Sequence, residues 1–400
     1  MRNILRLLFA LSILVMTSCH HQNDTEEERY TERTILLYFP WAGNLYASIQ
    51  TNISEIEYAI TKAGGLNGSR VMVWISKNEK EASLYEIIYS KRDLSCKHDT
   101  VERYTNPLLN TSEHISSVWH DVQKYARPDG GHYGMIIGCH GMGWIRSADW
   151  DKYMSKKKMV KRIIDAEEAE TRWFGGNGKT LQTDIESLSD GMRAAGIHTD
   201  FIQFDDCYMA NIETAYSLSS VTDYLIASPV EMMTYGMPYK QLWTILDKEA
   251  PSFQSYIDTF IDFYSKYSTP CGSLSVTDCR ETEALATLMR EAHSTHTLAP
   301  EHQDGLQVMD GLTPTLFYDF GNYTRILCET DKELWQRISK QLDKTVVAKG
   351  TTPTFYSAYN KRQEKIKEYS GLTTSEPSTS EMIIEALPHT AWWQRVHGTK

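Results

Sequence analysis

Metal-binding cysteine spacing is missing from this 400-residue chain. It has no CxxC pair and no Cys/His arrangement of the zinc kind, and no loop of the EF-hand type. Seven cysteines occur in all. Apart from Cys19 they stand singly, as Cys96, Cys139, Cys207, Cys271, Cys279 and Cys328. Thiols so scattered are no small-scaffold disulfide framework, and only Cys271 and Cys279 are candidates to pair. Basic charge is also short: 41 Lys and Arg face 52 Asp and Glu, for a net charge of −11. A general nucleic-acid binder needs the reverse balance. An acidic surface serves solubility and favours encounters with cationic substrates. Low-complexity tracts and repeats are absent, and the composition (41% apolar, 23% charged) is globular. The length suffices for one large domain or two ordinary ones with a substantial core.

Only one apolar run is long enough to notice. Arg2 and Arg6 precede Leu7 to Met16, and the small residues Thr17 and Ser18 lead into Cys19. This is the layout of a secretory signal, and the run is well short of the ~20 residues of a spanning helix. The order Leu14-Val15-Met16-Thr17-Ser18-Cys19 resembles a bacterial lipobox, in which the cysteine is lipidated and becomes the mature N-terminus. Residues 1–18 are therefore read as a lipoprotein signal peptide, with Cys19 the lipidated residue, and residues 19–33 as an acidic flexible tether. The expected location is the cell envelope, lipid-anchored to a membrane (the outer one in the first instance) without spanning it, in the periplasm or facing the outside. His20-His21 in the tether offers at most weak metal binding.

Short β-branched and aromatic runs predict strands at Thr34–Phe39, Val71–Ser76, Leu84–Tyr89, Tyr133–Cys139, Phe201–Phe204 and Tyr224–Ala227. Helical patterns lie between most of them, at Leu45–Ala63, Thr111–Tyr125, Leu181–Ala195 and Asn211–Ser219. Leu84–Tyr89 follows its predecessor too closely for a helix, which suggests a hairpin. The alternation implies an α/β fold with a mostly parallel sheet, whose functional residues gather beyond the carboxyl ends of the strands. Asp149 to Gly178, rich in charge, reads as an exposed loop or charged helix. After about residue 270 the pattern becomes mixed: a strand at Ser273–Thr277, then helices at Glu281–His296, Leu316–Leu327 and Lys332–Val347. The terminal Trp392-Trp393 pair is expected to dock on a domain surface. The division is an α/β unit over 34–270 and a mixed α+β C-terminal extension over 271–400 packed on it.

Two strand ends carry chemistry. Tyr133–Cys139 runs into His140-Gly141-Met142-Gly143-Trp144, where a histidine leaves a buried strand into a glycine-rich turn. Asp200–Phe204 runs into Asp205-Asp206-Cys207-Tyr208-Met209-Ala210-Asn211, where a cysteine precedes a helix whose N-terminus would favour thiolate. If the strands are neighbours, an imidazole and a thiol meet at one edge and supply a nucleophile and a proton shuttle. Taken singly, each has a plainer reading: a hydrogen-bonded structural histidine, and an inert small hydrophobe. Cys139 is read as packing, because strand alternation turns it away from His140.

Together the motifs His140-Gly141-Met142-Gly143-Trp144 and Asp205-Asp206-Cys207-Tyr208-Met209-Ala210-Asn211-Ile212-Glu213 resemble the clostripain family of cysteine peptidases. Looser matches are Thr171-Arg172-Trp173-Phe174-Gly175, Tyr224 to Ser228, Tyr235-Gly236-Met237-Pro238-Tyr239, Phe317-Tyr318-Asp319-Phe320 and Tyr369-Ser370-Gly371-Leu372. The resemblance runs from about Thr34 almost to the C-terminus. It implies the caspase-like α/β fold shared with gingipains and legumain, and peptide-bond hydrolysis through an acyl-thioenzyme. Carried onto this chain, Cys207 is the nucleophile, His140 the proton donor to the leaving amine, and the N–H groups of Gly141 and Cys207 the oxyanion hole. A preference for Arg or Lys at P1 is implied by Asp205, which matches an acidic S1 position and has helix capping as its plainer role. Glu231 is the second S1 candidate, although Pro229 to Thr234 departs from the acidic, glycine-rich form the family suggests. Family zymogens are cut between the dyad residues, and Lys156 to Arg162 lies in that interval; its plainer reading is a solvated charged face. No metal and no cofactor is called for; some relatives need calcium, and nothing here indicates a site for it.

The partners expected are protein or peptide substrates and, through the anchor, a membrane; nucleic acid is not among them. A second reading keeps the peptidase fold as an inactive binding module. Envelope thiol transfer has no partner cysteine near Cys207, and a solute-binding lipoprotein would show ligand stabilisation without turnover.

Overall fold

The structure, a computed structural model, describes residues 27–28, 33–40, 43–78, 80–125, 131–156 and 183–398. Nine strands make the central sheet: β1 Arg33–Phe39, β2 Ser69–Asn78, β3 Glu81–Ser90, β4 Ser95–Thr105, β5 His132–Ile137, β6 Thr199–Phe204, β7 Thr222–Ala227, β8 Ser273–Asp278 and β9 Val346–Thr351. Their spatial order is β4-β3-β2-β1-β5-β6-β7-β8-β9. Glu27–Glu28 pairs with the end of β3. The middle of the sheet, β2-β1-β5-β6-β7, is parallel throughout, and antiparallel strands close both sides. Every residue of β1 is buried, as befits a strand covered on both faces.

The helices fall into two groups. α1 Tyr46–Ala63 packs on α6 Tyr239–Leu246, which packs on α7 Phe253–Ser265. The other group joins α2 Ser112–Gln123, α4 Ile185–Ala194, α5 Ile212–Leu218 and α8 Thr282–Thr295, and α8 in turn contacts α10 Lys332–Thr345 and the terminal α12 Ala391–His397. Between them in the chain come α3 Ser147–Lys156, α9 Phe320–Leu327 and α11 Glu381–Ala386. Among the described residues, no helix is long and apolar enough to cross a membrane. The mostly parallel, helix-flanked sheet and the β2–β3 hairpin follow the sequence pattern.

Several boundaries differ from it. The strand expected to reach Cys139 ends at Ile137, with Gly138 N–H still donating to Tyr38 O at 3.1 Å. β4 was not anticipated; it is a polar, mostly exposed edge strand without an apolar alternation to betray it. The helix expected over Leu316–Leu327 begins only at Phe320, because Tyr318–Asp319 pairs with Thr373–Thr374. The helix expected to reach Val347 ends at Thr345, where the β-branched Val346-Val347 starts β9. α6 and α7 were also unread. The charged stretch after Asp149 starts helically within α3, and its remainder, with the basic run beyond Lys156 and the Thr171–Gly175 match, lies outside the described residues. So do Cys19 and His20-His21. Cys271 and Cys279 both carry free thiols, and burial pushes the Cys271 thiol up to about 12. Trp392 is fully buried, so the terminal aromatics do dock.

Candidate active site

β5 and β6 are adjacent and parallel, with Ile137 paired to Phe204, and Asp205 N–H extends the ladder to Ile137 O at 2.7 Å. The histidine and cysteine segments therefore leave the sheet at the same rim. They also touch: a Cβ on Gly141 would stand 2.4 Å from the carbonyl oxygen of Cys207 and 2.8 Å from Asp206 Cβ. Only glycine allows that approach. Gly143, at φ +63°, combines a left-handed backbone with contact against Asn211 and the Tyr208 carbonyl.

His140 is half-buried. Its Nε2–H donates to Asn44 Oδ1 at 2.9 Å. Asn44 lies in the loop leaving β1, the other neighbour of β5, so three consecutive strand ends contribute to one rim. Trp144, at the end of the same turn, is buried and donates its indole N–H to Ser375 Oγ at 2.9 Å. Beside His140 a cavity opens, lined by Tyr38, Cys139, Trp150, Leu188, Asp206 and Met209 among others. Cys207 is not part of its wall.

Cys207 is fully buried. Its sulfur accepts the Met232 N–H at 3.1 Å and lies 3.5 Å from Met232 O. The backbone on either side is laced to the same segment, Tyr208 N–H to Val230 O and Ala210 N–H to Ser228 O, both at 3.0 Å. Tyr208 holds φ +61°, a conformation a bulky residue adopts only when its surroundings fix it. Here its ring stacks on Phe317 and its hydroxyl donates to Glu231 at 2.9 Å. Burial first, then the charge of Glu231, holds the phenol well above its usual range, so it remains a donor. The expected helix dipole is not at the sulfur: α5 begins at Ile212, capped by Asn211 Oδ1 accepting Thr214 N–H at 3.1 Å. A polarising group that does reach the sulfur is the Met232 amide.

The S1 candidates are both interior. Asp205 is fully buried, its carboxylate accepting Met237 N–H at 2.9 Å and the Tyr239 hydroxyl at 3.1 Å. It is not the cap of the following helix. Glu231 is 3% exposed and takes the Tyr208 hydroxyl and the Ala358 N–H. Three residues escaped the sequence reading. Asn44 orients the imidazole. Asp206 accepts the Cys139 N–H, with Cys139 Sγ 3.3 Å from its other oxygen, stapling the two strand ends together. Met232 covers the thiol. Asp206 stood inside the motif and was legible as a polar residue at a buried turn; the other two act across the fold and left no local mark.

A sequence model described as the clostripain family, Peptidase_C11, matches residues 40–374. No curated protein matches the chain. Among solved structures, a secreted C11 cysteine protease from Bacteroides thetaiotaomicron, "iotapain", is 38% identical with a TM-score of 0.83, covering 92% of this chain and 100% of that one. A clostripain from the same organism, in complex with the peptide inhibitor BTN-VLTK-AOMK, is 43% identical with a TM-score of 0.54, covering 56% of this chain and 99% of that one. An inactive zymogen C11 protease from Parabacteroides distasonis shares the fold at 24% identity and a TM-score of 0.75, covering 92% of this chain and 99% of that one.

Proposed function

From the premise that this chain belongs to the clostripain family and is a cysteine peptidase, we propose that Cys207 and His140 are its catalytic dyad. What carries the reading is the contact of their two loops at one rim of the parallel sheet. Cys207 Sγ gives its proton to the His140 imidazole and attacks the scissile carbonyl. The C–N bond then breaks as His140 delivers a proton to the departing amine. Water, deprotonated by the same imidazole, hydrolyses the thioester and frees the thiol. The Gly141 and Cys207 N–H groups receive the oxyanion, a contribution of ~3 kcal/mol for one such donor.

Basic residues at P1 are the preferred substrates in this reading, with Asp205 and Glu231 as the acidic groups of the S1 site. The lysine of the inhibitor bound to the related clostripain supports it. Both carboxylates are interior here and Cys207 is closed over by Met232, an arrangement this reading takes as a closed form of the site. Opening then requires Pro229 to Tyr235 to move, and a cut within Lys156 to Arg162 is the proposed trigger. Fluorogenic peptides ending in Arg, Lys, Leu or Asp, offered to wild type and Cys207→Ala, test this. Turnover of the Arg and Lys peptides by wild type alone is expected; equal turnover of all four removes the specificity.

Burial of Cys207 is also what an inactive binding module would show. An acyloxymethyl-ketone probe separates the two: covalent labelling of Cys207, lost in His140→Ala, marks a peptidase. Export is proposed from the secreted relative and from the leader, with lipidation of Cys19 as the membrane link; Cys19→Ser is expected to release the protein from the membrane fraction.

A further inference from the structure

We infer that His293, Glu376 and His397 form a binding site for a divalent ion of the zinc class, remote from the catalytic rim. The three come from separate parts of the chain: α8, the segment after Thr373–Thr374, and the last residue of α12. One ligand atom from each lies within 4.8 Å of the others, and among the described residues this is the one such grouping of three. Both imidazoles converge on a single carboxylate oxygen. His293 Nε2 stands 2.5 Å and His397 Nε2 3.5 Å from Glu376 Oε2.

Two neutral imidazoles and a carboxylate are a ligand set that zinc takes, with a fourth position left for water. Tetrahedral zinc with bonds of ~2.0–2.1 Å sets its ligand atoms roughly 3.4 Å apart. The His397–Glu376 separation already fits. The His293 contact must open by about 1 Å to reach that spacing.

The surroundings are built to hold these groups. Glu376 is almost completely buried; its other oxygen, Oε1, accepts the Trp392 indole N–H at 2.7 Å, while the Tyr323 hydroxyl donates at 3.3 Å to Oε2, the oxygen the histidines face. Such outer bonds orient a ligating carboxylate. The His397 ring stacks on Trp393 at 3.7 Å and retains 23% exposure, which leaves a path for the ion. An ion here would pin the C-terminal helix to the strap around Glu376. That strap backs the catalytic loops: Thr373 N–H donates to Ala210 O, Thr374 and Ser375 donate to Glu213, and Ser375 accepts from Trp144.

The test uses the full chain carrying Cys207→Ala, so that the nucleophilic thiol cannot take the metal. After chelator treatment, zinc is titrated by calorimetry, and cobalt(II) is titrated in parallel by absorption. One ion per chain is expected, with a rise in melting temperature and a cobalt spectrum lacking thiolate charge transfer. His397→Gln and His293→Gln, each checked for folding without metal, should weaken binding at least tenfold and lose the zinc-dependent rise. No saturable uptake, a thiolate band, or undiminished affinity in both histidine variants overturns the site. The parent also carries His20→Ala and His21→Ala, so the cobalt signal cannot come from the tether, and saturable one-to-one uptake by that parent is required even if a variant fails to fold.

Discussion

At the catalytic rim single atoms decide what each residue does. Asn44 holds the imidazole through one hydrogen bond to Nε2, so it acts as a positioning residue. Asn44→Ala is expected to lower kcat about tenfold, near 1.4 kcal/mol, with KM little changed. Asn44→Asp keeps an acceptor and adds charge, which favours the imidazolium; it should restore part of kcat and displace the pH–rate profile upward. Steady-state kinetics over a pH series checks both, and a pure KM effect would deny Asn44 this role. Gly141 is held more tightly. A methyl there meets the backbone oxygen of Cys207, which has no flexible end to yield. Gly141→Ala should cost roughly 1–3 kcal/mol of stability through overpacking and, on the proposed role of its N–H in the oxyanion hole, about 10²–10³ in kcat. Thermal melts and single-turnover rates report the two separately.

Elements were legible in the sequence where one stretch of chain bore the whole signal. β1, β2, β5, β6 and β7 are buried in the sheet and read as apolar runs. β4 is an edge strand whose Lys97, His98, Asp99 and Glu102 face water, so pairing rather than composition defines it. The proposed dyad stands out in the sequence because each member sits in a compact turn at a strand end. Asn44, Met232 and the His293–Glu376–His397 group act across long sequence separations, which no spacing pattern reports.

The docking of α2 illustrates an element whose cost is visible only in the fold. His114 is buried against Trp74 and Tyr104, and among the described residues Nε2 has no hydrogen-bond partner. Burial lowers its pKa to about 4. The folded value lies below the ordinary 6.5, so this stability is complete above pH 6.5 and is lost as pH falls through 4. At one unit per 1.36 kcal/mol the loss is at most about 3 kcal/mol. His114→Phe keeps the aromatic packing and removes the titration. Its melting temperature should fall less than wild type between pH 7 and pH 4, and parallel curves for the two proteins would exclude His114 as the acid-sensitive contact of α2.

On the scale of the whole molecule, we propose that the C-terminal extension, residues 271–400, packs on the peptidase unit of residues 34–270 as a part the fold requires. β8 pairs with β7 and β9 with β8, so the later residues finish the sheet that carries the proposed dyad. Asn211 bridges to Thr373, and Ala358 N–H donates to Glu231, next to the segment over the thiol. Glu213 is buried, and among the described residues outside its own helix its carboxylate accepts from Thr374 and Ser375. Burial pushes it up to about 7, so without those donors a costly group remains in an apolar place. A chain ending at Pro270 exposes the β7 edge, an invitation to aggregate, and leaves Glu213 without its donors. Such a truncation is expected to be insoluble or inactive, whereas co-expression with residues 271–400 as a second chain should recover folding and cleavage of an Arg substrate. Soluble, active protein from the truncation alone would show that the dyad-bearing strands fold without the rest, and that the extension is an accessory.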